Sequence, residues 1–549
     1  LSDDNKVQDL RQLKTQLEME RASFISHWKE LANNILPRRA QFQLSNSNKG
    51  DKRNQSIKDE TATIAARSLR AGMMGGITSP SRPWFRLSVV DPDLMDNAEV
   101  KVWLHEVTRR MISVFIRSNL YHALPVVYGD VSVFGTAALG VEEDYSGDVV
   151  RFYSFPIGSY CIAQNDKLQV DVFVRDIRLT VRQLVAKFGE VKNGKIVSKN
   201  ISENVKQRWE EPAGKDQPVE ITHVIQPNYK WDPEDPTSFR YISSYFENSN
   251  VEDLLLREGG FNYFPALCPR WELTGEDIYG TNCPGMEALP AIKQLHNMEL
   301  RSIQAVEKMI NPPMMGPLSL KQAKASALPG DITYVDVRNG MEGFKPVYQI
   351  NYDLQAHEVK QEKVRQRIRK IFFEDMLLMF ANMEARERVT AFEIQARKEE
   401  KLLVLGPVLE RLNQDLLDPL ITITFDIMAR QGLIPTPPME LQGQPLKVEY
   451  LSIMHQAQKS TGLAGLDRLK QHAAEMAQIS PMTMDKFNLD EISDEYAEIL
   501  GVPPKVLRSN EDVAKIREAR AQAQAAQQQE LSDRENLKAA TPIAKMVQQ

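Results

Sequence analysis

LPAIKQLHNMELRSIQAVEKMINPPMMGP, residues 289–317, is a long helical run that meets a hard stop. It belongs to a candidate helix over 286–310. Asn311-Pro312-Pro313 ends that helix, because proline has no amide to donate and turns the residue before it away from helix. A second helical run covers 353–380. At about 1.5 Å rise per residue, each spans roughly 35–45 Å. About 40 residues lie between them and include the strand-like DITYVDV at 331–337. A gap of that length is too long for a plain loop, so it implies a small subdomain carried between two helices.

Downstream of the second run the chain stays helical, over 391–412, 413–431, 455–477 and 491–500. Thr390 with Glu393 makes a capping box that fixes a chain break just before it. Pro407 and Pro419 are expected to kink or divide these helices. From 510 the tail is a charged, then Ala/Gln-rich helix, and its last 15 or so residues read as disordered.

Upstream, Leu10, Leu13, Leu17, Phe24, Trp28, Leu31 and Ile35 fall at helical spacing over 5–36, with Pro37 as the stop. A polar loop at 43–56 precedes helical stretches at 57–74 and 97–117. The apolar segment 121–140 reads as a buried helix ending near Gly135 or Gly140. Strand patterning then takes over at 149–178, with Asn165-Asp166 as a turn, and a short helix follows at 180–188. Strands return at 218–229, 239–247 and 261–272, separated by a linker at 205–217 and a WDPEDP turn at 231–236. The fold class is therefore α+β, helices first and then a mostly antiparallel sheet.

The stretch ARSLRAGMMGGITSPSRPWFRL (66–87) is dense and carries no catalytic group. Gly75-Gly76 is expected to end its helix, since glycine reaches the left-handed backbone region cheaply. Pro80 and Pro83 then force an extended path into Trp84-Phe85, a bulky apolar pair flanked by Arg82 and Arg86. Gly75, Gly76, Trp84 and Phe85 read as packing or assembly anchors.

With 549 residues the chain has room for roughly three or four domain-sized units. No apolar run approaches the roughly 20 residues that a membrane span needs, and no secretory leader opens the sequence as given. Residue 1 is Leu rather than Met, which leaves the native start open. Cys161, Cys268 and Cys283 are odd in number and lack CxxC spacing, which argues against a disulfide scaffold or zinc site. The net charge of −6 has the wrong sign for a protein that grips nucleic acid over its whole surface.

No string supports catalysis. GEVKNGKI (189–196) is a near miss to a phosphate-binding loop, but Ile196 stands where Ser or Thr would hold magnesium. Asn193-Gly194 instead reads as a hairpin turn. His105-Glu106 and His357-Glu358 lack the second histidine of a zinc helix, no GxSxG occurs, and no cofactor or metal is expected. Basic residues are more informative. In 353–380 the apolar stripe is Val364, Ile368, Ile371 and Phe372, while Lys360, Lys363, Arg367 and Lys370 share another face. That face is either solvated beside a helix seam or in sequence-independent contact with phosphates. Arg386 and Arg388 sit between helices, facing either DNA or neighbouring acids.

Five strings, in this order, resemble the head-to-tail connecting (portal) proteins of short-tailed, podovirus-type phages. They are 66–87 and 289–317 above, ERVTAFEIQARKEEKLLVLGPVLERLNQDLLDPLI (387–421), VEYLSIMHQAQ (448–458) and ILGVPPKVLRSNEDVAKIREAR (499–520). Ile453 departs from a Ser-Pro pair common in such strings, a change that bears on local backbone only. The resemblance implies a ring, usually of twelve copies, at one capsid vertex of the virion, assembled in the host cytoplasm. It implies a wing (1–285), stem helices (286–310 and 353–380) around a clip (311–352), and a tunnel loop (381–389). A crown with returning wing helices (390–500) and a C-terminal helix or barrel with its tail (501–549) follow. It further implies double-stranded DNA in the channel, for which the basic residues above, Lys360, Lys363, Arg367, Lys370, Arg386 and Arg388, are the candidate contacts. Terminase large subunit, tail adaptor, capsid and scaffolding proteins would be the partners, with no membrane. Two other classes stay open: a tail adaptor or scaffold, which micrographs would separate, and a nucleotide-dependent enzyme, which ATP hydrolysis lost on changing Lys195 would reveal.

Overall fold

The computed structural model describes residues 3–39, 42, 53–91, 94, 97–145, 147–235, 237–248, 254–315, 345–347, 353–374, 405–451, 492, 513 and 515–527. The chain divides into two compact units, one of residues 1–76 and 115–427, the other of 77–114 and 428–549. In chain order the first elements are α1 (Asp3–Asn34), α2 (Thr61–Ile77), β1 (Phe85–Val89), α3 (Ala98–Arg117) and α4 (Leu120–Phe134). Strands β2 (Ala138–Asp144), β3 (Val149–Phe155), β4 (Tyr160–Gln164) and β5 (Val170–Thr180) follow, then α5 (Val181–Phe188). Next come β6 (Val191–Lys192), β7 (Lys195–Ile196), α6 (Glu203–Glu210), β8 (Pro218–Pro227), β9 (Tyr241–Glu247), β10 (Leu255–Phe261) and β11 (Ala266–Leu267). The rest comprises α7 (Pro284–Ile310), β12 (Met314–Met315), β13 (Lys345–Pro346), α8 (Leu354–Ile371) and α9 (405–412). A π-helical turn (Asn413–Leu417), α10 (Asp418–Arg430), β14 (Leu446–Tyr450) and α11 (515–527) complete it.

The larger unit centres on an antiparallel five-stranded sheet of order β10-β9-β8-β5-β4. Side chains alternate across a strand, so each strand supplies both faces. Val174, Val224 and Phe246 pack with Val7, Leu10 and Leu17 of α1 on one face. Val219, Ile221 and Tyr245 pack with Leu184, Val185 and Val205 of α5 and α6 on the other. The helix expected over 5–36 thus forms, and its apolar stripe is one layer of a helix–sheet–helix sandwich. A second sheet, β11-β2-β3, adjoins α4.

Helix α4 ends at Gly135, whose φ of 80° is the left-handed cap, as one of the two expected glycines requires. A Cβ at Gly135 would strike the carbonyl of Gly280, and one at Gly280 would strike that of Gly135. This close approach lets other segments satisfy the carbonyls that a helix end leaves orphaned. Trp28 donates to the Phe134 carbonyl at 3.1 Å, Cys283 to that of Val133 at 3.2 Å, and the Trp271 amide to that of Gly135 at 2.8 Å.

Arg270 is 1% exposed and reaches four segments. It donates to Gln164 of β4 at 2.9 Å, the Leu168 carbonyl at 2.7 Å and the Ile278 carbonyl at 3.5 Å. It also pairs with Asp415 at 3.2 Å. Asp415 lies in the π-helical turn just before Pro419, so the expected Pro419 disturbance takes the form of a widened turn. Burial pushes the Asp415 carboxyl above its ordinary range, and the Arg270 guanidinium offsets only part of that.

In the smaller unit β1 pairs antiparallel with β14, Phe85 opposite Tyr450. Trp84 and Phe85 are fully buried, ring centroids 4.7 Å apart, and the Trp84 carbonyl accepts from the Leu451 amide. Arg86 pairs with Glu449 at 2.6 Å, and Trp103 donates to the Pro435 carbonyl at 3.0 Å.

Several expectations are corrected. Gly75-Gly76 does not end α2, which runs to Ile77 without a positive φ at either glycine. Pro80, which pushes Ser79 out of helix, sets the limit instead. The strand expected at 261–272 lies earlier, at Leu255–Phe261, with only Ala266–Leu267 beyond it. Its Gly259-Gly260 mimics a turn signal, but Gly260 is bare because Phe239 lies over it. The linker expected at 205–217 holds most of α6, whose N-cap Ser202 hydrogen-bonds the buried Glu247 at 2.7 Å. Helix α8 ends at Ile371, with Phe373 at φ 55°, short of the end expected at 380. The capping box at Thr390, the helix at 455–477, all of the helix at 491–500 except Ile492, and the strand at 331–337 lie outside the described residues.

Replacing Arg270 with Met strands the Asp415 carboxylate in a dry site. We expect a loss of about 3–5 kcal/mol in denaturant unfolding at neutral pH, with Arg270→Met/Asp415→Leu recovering most of it.

Candidate functional site: a two-sided helical hairpin

Helix α7 opens with Pro284 at its first position and buries Leu289, Ile292, Leu295 and His296 along its first half. Its end is the expected Asn311-Pro312-Pro313 stop. Beyond it β12 pairs antiparallel with β13, Met314 opposite Pro346, and the Val347 amide donates to the Pro313 carbonyl at 2.8 Å. The chain thus leaves and re-enters the hairpin through a two-stranded neck. The segment 316–344, most of the expected subdomain, lies outside the described residues. Asp353 caps α8 by accepting from the Ala356 amide at 3.0 Å. Val364, Ile368 and Phe372 are buried as the stripe required, with Ile371 half-buried. The helices run antiparallel, Arg367 donating to Gln294 at 3.0 Å and His357 meeting the Met298 carbonyl at 3.4 Å.

The two flanks of this hairpin differ sharply. On one, Lys360, Lys363, Arg367 and Lys370 are all exposed. The three lysines have no ion-pair partner among the described residues. On the other, an open cleft of about 780 Å³ lies against the start of α2 and is lined by Asp59, Glu60, Glu299, Glu362, Arg365 and Glu374, among others. Arg365 binds Asp59 at 2.9 Å and Glu299 at 2.5 Å, with Glu362 at 3.7 Å. Arg369 lies 3.2 Å from Glu362 and 3.7 Å from Glu374. Burial pushes the Asp59 carboxyl up, but hydrogen bonds from Thr61 and the Arg365 guanidinium outweigh it and hold the group below its ordinary range. His296 beside it, hydrogen-bonded to the Asp59 carbonyl at 3.2 Å, is pushed down by burial.

This hub is what sequence reading missed. Arg365 and Arg369 share a helix with the exposed cations but fall outside their 360-363-367-370 register. That offset is the only signal of a different role, since Asp59 lies some 300 residues away. The other sequence candidates separate. Gly75 is exposed, and a Cβ there would meet nothing within 4 Å, so no described contact makes it a packing anchor; Gly76 is half-buried. Trp84 and Phe85 are core residues of the smaller unit. Arg386 and Arg388 lie outside the described residues.

Asn193 and Gly194 take φ 52° and 80° between β6 and β7, the hairpin turn expected for GEVKNGKI, and Lys195 pairs with Glu210. All three cysteines are buried and free; burial pushes the thiols of Cys161 and Cys283 up to about 12 and that of Cys268 higher still, which keeps them protonated. No group of metal-binding side chains occurs among the described residues, and no described helix is long and apolar enough to cross a membrane.

Residues 7–507 match the family described as bacteriophage head to tail connecting protein. The chain belongs to that family. It is 46% identical over 530 residues to the portal protein of Salmonella phage epsilon15, covering 96% of this chain and 93% of that one. It is 41% identical over 516 residues to the probable portal protein of Bordetella phage BPP-1, covering 94% and 91%. A chain in the virion of a native gene transfer agent particle aligns over 81% of this connector and 89% of its own length, at 13% identity and a TM-score of 0.31.

Removing the hub's cation tests its role. Arg365→Gln is expected to cost about 2 kcal/mol at neutral pH, because Asp59 and Glu299 lose their partner in a half-buried site. A carboxyl held below its unfolded value stabilises above that value and loses the contribution as pH falls through the folded one. Denaturant unfolding from pH 7 to pH 2.5 should therefore show wild type converging on the variant below about pH 4.

Proposed function

We propose that this connector is the portal subunit of a short-tailed phage: a ring at one capsid vertex that conducts double-stranded DNA during packaging and ejection. The observation that carries this is its relation to portal proteins over nearly its full length. The helical hairpin with its two-stranded neck supports the division made from sequence. In that division 286–310 and 353–380 are the stem, 311–352 the clip, 381–389 the tunnel loop, 1–285 the wing, and 390–500 the crown with returning wing helices. Residues 501–549 continue as a C-terminal helix or barrel. The clip would dock the terminase large subunit and later the tail adaptor, and the wing would meet capsid and scaffolding proteins. The protein would act without catalysis, ATP-driven force coming from the terminase, and would assemble in the host cytoplasm before residing in the virion.

Phosphate contact in the channel falls first to Arg386 and Arg388. The stripe Lys360, Lys363, Arg367 and Lys370 has the exposure that such contact needs.

Twelve copies of 62.5 kDa should sediment near 750 kDa and show a central hole in electron micrographs. A stable monomer or small dimer under capsid-assembly conditions would remove the ring. Arg386→Ala/Arg388→Ala should assemble normally and fail in DNA packaging or retention; full genome filling would reassign both residues to structural ion pairs.

A further inference from the structure

We propose that neighbouring copies dock side by side through the α7–α8 hairpin, the lysine flank of one seated on the cleft flank of the next. This rests on the ring reading and says which surfaces make the contact. The lysine flank extends onto α7. Gln294, which Arg367 touches, is in line at seven-residue spacing with exposed Arg301 and Lys308. Six cations therefore share one flank, and no carboxylate falls on the stripe between Lys360 and Lys370 or between Gln294 and Lys308.

The cleft flank is its complement. Arg365 and Arg369 are already engaged by acids of their own chain. Glu60 and Glu358 are exposed and have no partner among the described residues, Glu358 lying one turn before Glu362 on the same stripe. Beside them Ile303 and Ile310 stand 53% and 78% exposed, on the same side of α7 as Glu299, and Leu300, 38% exposed, lies one turn before Ile303. Neighbouring apolar side chains of that size left in water mark an interaction surface.

Symmetry and charge together select the occupant. A closed ring above a dimer is built from heterologous contacts, in which two different patches meet around the circle. Like flank on like flank would set lysines against lysines. Opposite flanks bring cations to unpaired carboxylates and cover the apolar stripe with the stems of lysine side chains. Duplex DNA fits less of this, since phosphates have no use for Leu300, Ile303 and Ile310 and would leave the cleft flank bare.

The test reverses each flank at residues free of internal pairs. Lys360→Glu/Lys363→Glu and Glu60→Lys/Glu358→Lys should each fold, with melting close to wild type. Each should need at least about tenfold more protein to form rings by sedimentation and micrographs. The four-residue swap, which restores complementarity with the signs exchanged, should return assembly to near wild type. Rings at wild-type concentration in both double variants would overturn the contact; if the lysine variant then loses DNA from filled particles, that flank faces DNA. A wild-type chain that forms no ring removes the ring reading itself, and this contact with it.

Discussion

A single guanidinium sets how the larger unit holds together. Arg270 is buried, and its hydrogen bonds run to β4, to the β4–β5 turn, to the segment ahead of α7 and to the π-helical turn before Pro419. A buried charge is tolerated only when its donors are met, and here partners come from segments more than 100 residues apart in sequence. The widened turn follows from the same need. A regular helix through 413–417 would have to meet Pro419 without its amide, and the π turn both absorbs that loss and offers the Asp415 carboxylate.

The hairpin inherits its position from this frame. Phe373, just past α8, stacks on Trp271, the residue after Arg270, while the α7 start packs on the end of α4 through Gly285. Both ends of the hairpin near the sheet are fixed by close backbone or ring contacts. Its far half is different in kind: Leu300, Ile303 and Ile310 remain uncovered, and the chain passes into the narrow neck of β12 and β13. Rigidity at one end and exposed surface at the other suit an element that is braced within its own subunit and completed by something outside it.

Much of this was legible in the sequence wherever one periodicity dominated. The α1 stripe, the 286–310 helix with its proline stop, the α8 stripe and the Asn193-Gly194 turn each needed only local physics. Legibility failed where a distant partner changed a residue's meaning. The strand at Leu255–Phe261 is placed too late at 261–272 because nothing local says that Phe239 lies over Gly260, and α6 reads as a linker because only Val205 is fully buried. Gly75-Gly76 could have ended a helix, and Pro80 beyond them left no need for it. Arg365 falls outside the register of the exposed cations, but nothing near it in sequence announces Asp59 as its partner.

The flank contact also resolves a tension between net charge and task. A chain of charge −6 proposed to pass DNA could not afford broad adhesion to it, yet α8 carries a dense cationic stripe. Left facing a channel, such a stripe repeated around a ring would hold phosphates at many points and make release depend steeply on salt. Seated on the next subunit's carboxylates, the same cations are neutralised within a few ångströms, well inside the roughly 8–10 Å over which salt leaves charges effective. The surplus left on such a ring would then be negative, and a duplex would be repelled and guided rather than gripped. Any cations left to meet phosphates would be few and local, which is the arrangement a passage must have if DNA is to move through it in both directions.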